Sequence, residues 1–187
     1  MGTLGYTATI SIDGYAADAD GDFQWSAPGD DVFDFHVERM ADVSAEILGR
    51  RTYELMRYWE AEPAGEAWSA AEHEFARRWQ SLDIVVASST LTREKVADAD
   101  VLVPHLGLAD VERIVGEAAG EVEIFGPTVA SEAIRAGLVD HFRLFIMPKA
   151  VGGGLRALPG DVRLGMDLVG QRVFQDGTVY LHYTRAR

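Results

Sequence analysis

Two hydrophobic periods alternate along this chain. Residues 4–12 are rich in Thr and Ile and stop at Asp13-Gly14, which predicts a strand and a turn. Residues 15–29 gather Gly, Asp, Ala and Pro around Phe23 and Trp25, a long loop of the kind that often serves function. Val32, Phe33, Val37 and Met40 then fall at helical spacing over 30–42, with Asp30 and Asp31 in the first turn. The apolar run 45–48 ends at Gly49, and a helix is expected from Thr52, with Thr52 as N-cap and Tyr53, Met56 and Trp59 inward. Trp68, Ala71, Phe75 and Trp79 mark one face of a further helix. Residues 84–87 and 101–103 predict short strands. Leu108, Val111, Ile114, Val115 and Ala118 predict a helix, and residues 122–125 another strand. Val129, Ala133 and Ile134 face inward on a helix that ends at Gly137. A strand over 142–147 leads to Gly152-Gly153-Gly154. Residues 168–174 and 178–183 flank Asp176-Gly177, a hairpin signal.

Strands and helices thus alternate until a closing hairpin. That order specifies an α/β domain with a largely parallel sheet and an antiparallel edge. No linker, repeat or low-complexity tract divides it, so one domain is expected over 1–187.

Charge narrows the partners. With 17 basic and 30 acidic residues the net charge is −13, which opposes a nucleic-acid backbone or an anionic membrane face. No apolar run approaches a bilayer span and no signal-peptide pattern opens the chain, so a cytoplasmic protein is expected. The absence of cysteine removes disulfides, thiolate nucleophiles and cysteine-based metal sites. The histidines His36, His73, His105, His141 and His182 show no i, i+4 pairing, and no metal site is expected. A Gly-x-Ser-x-Gly elbow is also missing.

Three segments share the pattern of an apolar strand, a turn of small or polar residues, and a predicted helix. They are Ile47-Leu48-Gly49-Arg50-Arg51-Thr52, Val85-Val86-Ala87-Ser88-Ser89-Thr90 and Ile124-Phe125-Gly126-Pro127-Thr128. In a parallel sheet such turns meet at the carboxyl ends of the strands, where ligands bind, and helix N-termini there favour phosphate. Arg50 and Arg51 add guanidinium forks suited to phosphate oxygens, and Ser88, Ser89 and Thr90 add hydroxyls. Each turn alone is also ordinary backbone chemistry; three in one sheet favour a dinucleotide or phosphorylated ligand. Neither GxGxxG nor GxxxxGK[ST] occurs.

Further segments complete an ordered set: Ser11-Ile12-Asp13-Gly14, Leu48-Gly49-Arg50-Arg51-Thr52-Tyr53-Glu54, Val86-Ala87-Ser88-Ser89-Thr90-Leu91, Ile124-Phe125-Gly126-Pro127-Thr128, and the run from Gly137 through Met147-Pro148-Lys149 to Gly154. From about Thr3 to Tyr183 the chain resembles the dihydrofolate reductase-like superfamily, and within it the C-terminal reductase domain of the bacterial bifunctional riboflavin deaminase-reductase. The resemblance implies a three-layer fold, NADPH as cofactor, and hydride transfer to a small heterocycle. It places Gly49, Arg50, Arg51 and Thr52 on the 2′-phosphate and pyrophosphate, and Ser88, Ser89 and Thr90 on the adenosine side. Gly126, Pro127, Thr128, Val129 and Ala130 would wrap the pyrophosphate and nicotinamide. It also implies a homodimer through the C-terminal strands.

Riboflavin-pathway reductases usually carry a substrate-facing Glu two residues before the glycine matched by Gly126; here that residue is Ile124, while Glu123 would point to the opposite face of its strand. Dihydrofolate reductases use a carboxylate on the first helix, and Asp34 is the candidate catalytic residue, with Asp30 and Asp31 as alternatives. All three also suit a solvated helix start. Asp13, equally a turn former, and Trp25, equally a hydrophobic plug, are the candidate substrate contacts. The rival is a non-catalytic ligand-binding or flavin-binding protein that retains the fold.

Overall fold

The computed structural model describes residues 2–186. An eight-stranded sheet has the order β5-β4-β3-β6-β1-β7-β10-β9. Its strands are β1 (Leu4–Ser11), β3 (Val43–Gly49), β4 (Asp83–Ala87), β5 (Val101–Val103), β6 (Glu121–Phe125), β7 (His141–Met147), β9 (Met166–Val173) and β10 (Val179–Arg185). The ladders from β5 through β7 are parallel, whereas β10 pairs antiparallel with both β7 and β9. The expected mixed sheet with a C-terminal antiparallel hairpin is therefore present.

Helices α4 (Leu108–Glu117) and α5 (Pro127–Arg135) cover one face. Val111, Ile114, Ala130, Ala133 and Ile134 pack there against Leu4, Tyr6, Ile47, Val122 and Ile124. Helices α1 (Asp30–Arg39), α2 (Arg50–Met56) and α3 (Ala70–Trp79) lie on the other face. Tyr53, Met56 and Trp79 pack there against Leu48, Ile84 and Val86, while Val32 and Phe35 pack against Phe145, Phe174 and Tyr180. Period-2 alternation divides each strand between these cores: Ile47 and Ile124 serve the first, and Glu46 and Glu123 turn to the second.

Several local expectations are corrected. Helix α2 starts at Arg50 with Gly49 as N-cap, so Thr52 lies inside the helix rather than capping it. The β3–β4 ladder ends at the pair Gly49 and Ala87, and the chain turns helical at once. No α-helix follows Ser88-Ser89-Thr90. The Ser88 hydroxyl accepts the backbone N–H groups of Thr90 and Leu91, closing a tight turn before a 3-10 turn at Arg93–Lys95. Trp68 precedes α3, whose N-cap is Ser69 in a reciprocal pair with Glu72. The 15–29 loop contains a short strand β2 (Tyr15–Ala17), paired with β8 (Leu155–Arg156), and a 3-10 turn at Gln24–Ser26. The β2–β8 pair spans residues far apart in sequence, which no local pattern announces.

Candidate functional site

Because β1, β3, β4, β6 and β7 run parallel, the turns after them open on one edge of the sheet. Two of these turns touch. A Cβ built on Gly126 would lie 3.1 Å from the Thr52 hydroxyl and 3.7 Å from Val129, and one on Gly49 would lie 3.7 Å from Val129. Gly126 has φ of +117°, a backbone conformation that side chains rarely adopt. The two glycines thus let the β3–α2 and β6–α5 turns approach each other, with only the Thr52 and Val129 side chains against them, and the cleft beside these turns is the candidate groove.

The groove has a positive rim. Arg50 and Arg51 are exposed at the start of α2. Arg50 meets only Glu54, at 3.9 Å, and Arg51 has no ion pair among the described residues. At α5 the N-cap offers no side-chain bond, Pro127 occupies the first turn, and Thr128 is exposed. The free N–H groups of that turn carry partial positive charge toward the groove. Ala130 is fully buried and its N–H is bonded to the Gly126 carbonyl, so it supports the turn from beneath rather than facing the groove. A cavity of about 190 Å³ adjoins this helix end, lined by Pro127, Thr128, Ser131, Leu155, Arg156 and Leu158 among others. Sequence reasoning missed Arg156, whose guanidinium stacks over Tyr15 at 5.1 Å; its partner arrives only through the β2–β8 pairing.

The third predicted turn contributes differently. Ser88 is buried and its hydroxyl is engaged by its own turn, whereas Ser89 and Thr90 are exposed. Asp13 is likewise occupied. Its two oxygens accept the N–H groups of Val151 and Gly152, at 3.1 and 2.7 Å. Hydrogen bonding with Ser11, reinforced by these backbone donors, holds its carboxyl below the usual range. Asp13 therefore ties the glycine-rich loop to the end of β1. Trp25 is half-buried, with its indole N–H on the Asp22 carbonyl at 3.0 Å. Lys149 donates to the Trp25 carbonyl at 3.0 Å, a second tie between the same loops that the sequence did not reveal.

The acidic residues of α1 divide by face. Val32, Phe35, His36 and Arg39 turn toward the sheet, as spacing of three and four residues requires. Asp34 is exposed and makes no hydrogen bond or ion pair among the described residues. Asp31 is half-buried, and its carboxylate accepts the Gln175 N–H at 3.0 Å, fastening α1 to the β9–β10 turn. Asp30 is exposed. No group of three or more His, Asp or Glu able to hold a metal ion occurs among the described residues, and no helix there is long and apolar enough to cross a membrane.

Known proteins share this fold. Over 104 residues, 54% of this chain, the sequence is 35% identical to the riboflavin biosynthesis protein RibD of Escherichia coli (strain K12); the match spans 26% of that protein. A protein of Shewanella sp. PV-4 assigned to riboflavin biosynthesis superposes with a TM-score of 0.76 at 22% identity, covering 99% of each chain. Dihydrofolate reductase from Enterococcus faecalis, solved as a complex with NADP(H), superposes with a TM-score of 0.64 at 15% identity, covering 99% of this chain and 97% of that one. These structural likenesses establish the fold. The RibD C-terminal domain matches residues 3–180, a span that takes in every turn of the groove, and the chain belongs to that family.

Proposed function

We propose that this domain is an oxidoreductase that takes its reducing equivalent from NADPH and delivers it to a small, flat heterocycle, as in riboflavin biosynthesis. The observation that carries the reading is the contact between the Gly49–Thr52 and Gly126–Ala130 turns beside two exposed arginines. The lack of a side chain on Gly49 and Gly126 would let an extended group such as a pyrophosphate come close to the main chain, and the α5 end, without a side-chain cap, suits its charge. Arg50 and Arg51 would hold the 2′-phosphate. Ser89 and Thr90 would border the adenosine, with Ser88 shaping their turn. When bound, the cofactor supplies hydride; the protein orients it and stabilises its charge. Trp25 would face the heterocycle from the loop that Lys149 and Asp13 brace. Membership of the family and the named neighbours support this reading. A homodimer through the C-terminal strands belongs to the same proposal: Leu168, Val169 and Val173 are exposed on β9, the terminal strand of the sheet.

Titration calorimetry with NADPH and NADH tests the cofactor assignment. Charge-assisted hydrogen bonds contribute about 1.5–3 kcal/mol each. The double substitution Arg50→Ala, Arg51→Ala should weaken NADPH at least about tenfold and leave NADH nearly unchanged. Unchanged NADPH affinity would remove the arginines from the site.

A second reading, a binding protein that kept the fold without the reaction, is favoured by one observation. The acidic residues of α1 are either solvent-exposed or already bonded, and Ile124 is buried in the core below α5. NADPH binding without oxidation in the presence of pterin, flavin or pyrimidine candidates would select it.

A further inference from the structure

Beneath α1 and α3, on the sheet face opposite α4 and α5, lies a buried layer of charge that the cleft does not use. Glu46 on β3 and Glu123 on β6 are register partners in a parallel ladder, so their carboxyls stand side by side. Both are buried, at 4% and 5% exposure. Glu123 accepts from Arg39 of α1 at 3.0 Å and from the Thr7 hydroxyl. Glu46 accepts from the indole N–H of Trp79 of α3 at 3.1 Å and forms no ion pair among the described residues. On the same face, Arg143 of β7 is held by Glu121 through bonds of 2.5 and 2.7 Å.

Charge balance follows from these contacts. Two arginines match two glutamates, Glu121 and Glu123, which leaves Glu46 as a third carboxyl with no cation of its own. The other groups facing the layer do not supply one. His36 is held to about 4, first by burial and then by Arg39, and is neutral at pH 7. His182 is likewise held to about 4, by partial burial and then by Arg143. Tyr180 is raised by burial and keeps its proton. Arg78 of α3 is turned away, onto Glu74 and the carbonyl of Val37. The Nε of Arg39 is buried without an acceptor, so the guanidinium already lacks one of its bonds.

We propose that Glu46 and Glu123 form a one-proton latch: with the proton on Glu46, α1 and α3 are seated on the sheet, and its loss on alkalisation loosens both helices. Two adjacent carboxylates without a second cation are unfavourable in a dry layer, and admitting water between helix and sheet relieves them. The effect extends to the β9–β10 turn, because the first turn of α1 holds it through Asp31 and Gln175. The latch does not depend on which cofactor or substrate the cleft takes.

Carboxyl-carbon NMR of the whole protein tests it. Burial, followed by the neighbouring Glu123, raises Glu46 to about 8, and its signal should titrate there. The Trp79 indole and the amides of α1 and α3 should shift with that same midpoint, while α4 and α5 on the opposite face remain steady. The variant Glu46→Gln keeps an acceptor for Trp79 and cannot ionise; it should abolish the α1 and α3 transition. A Glu46 signal titrating in the ordinary carboxylate range would overturn the latch, as would a Gln variant with the wild-type transition. Should that variant not fold, the wild-type protein decides: α1 and α3 amides that stay unchanged through the Glu46 midpoint would overturn the latch.

Discussion

Replacing Arg39 by Met isolates one of the two buried ion pairs among the described residues. The side chains of Arg39 and Glu123 are only 12% and 7% exposed, with 3.0 Å between charges. Methionine fills much of the same volume but leaves Glu123 without its cation, and breaking a buried pair from one side costs about 3–5 kcal/mol. For a chain of this size, each kcal/mol moves the thermal midpoint by roughly 2–4 °C, so a fall on the order of 10 °C is expected at neutral pH. The pH dependence gives the argument its sign. Burial alone would raise Glu123, but Arg39, the Thr7 hydroxyl and Arg143 outweigh it and hold the carboxyl below its ordinary value. In the wild-type protein this contributes stability above the unfolded carboxylate range, and the contribution fades as pH falls through the folded value. Without Arg39, burial works against the Glu123 carboxylate with only the Thr7 hydroxyl and Arg143 to offset it, so the variant instead loses stability as pH rises. The gap between the two proteins should therefore be widest near neutrality and narrow toward pH 4. Urea and thermal unfolding followed by circular dichroism at several pH values measure it. Combining Arg39→Met with Glu123→Gln should restore much of the loss. A pH-independent gap, or a double variant as unstable as the two single losses added, would refute the reasoning.

Two further outcomes follow from the same geometry. Gly126→Ala forces a side chain onto φ of +117° and to 3.1 Å from the Thr52 hydroxyl; a loss of about 1–3 kcal/mol is expected, together with weaker NADPH binding, read by thermal unfolding and calorimetry. On β9, Leu168→Lys with Val173→Lys should turn a dimer into a folded monomer in sedimentation velocity; a wild-type protein that already sediments as a monomer would remove this interface.

Much of the architecture was legible because burial leaves a periodic trace. Strands β1, β6 and β7 show their alternation in apolar residues, and α4 and α5 carry a clear inward stripe. That the turns at Gly49 and Gly126 meet could be foreseen because a parallel sheet brings such turns to one edge. Where two local solutions compete, the pattern was less decisive. Thr52 looks like an N-cap, yet the helix begins at Arg50, because the ladder ends at Gly49 and no side-chain cap is required there. The Ser88 hydroxyl resembled a ligand contact, but it closes its own turn. Asp13 and Asp31 carry the residue type of a site, and each is bound to a backbone N–H more than a hundred residues away.

The amino-acid sequence by itself determined the order of elements, the face each strand buries, and the family signature from the first strand to the hairpin, since all are written in local spacing. Tertiary structure alone decided which polar groups are free. Arg51 is open because nothing folds onto it, whereas Arg39, in an equally ordinary helical position, is drawn under α1 to Glu123. Whether a charge serves a ligand or the core depends on partners that arrive from distant strands. The pairing of Glu46 with Glu123 is the sharpest case: it exists only because β3 and β6 become neighbours, and burial, reinforced by that adjacency, raises the Glu46 carboxyl above its ordinary range.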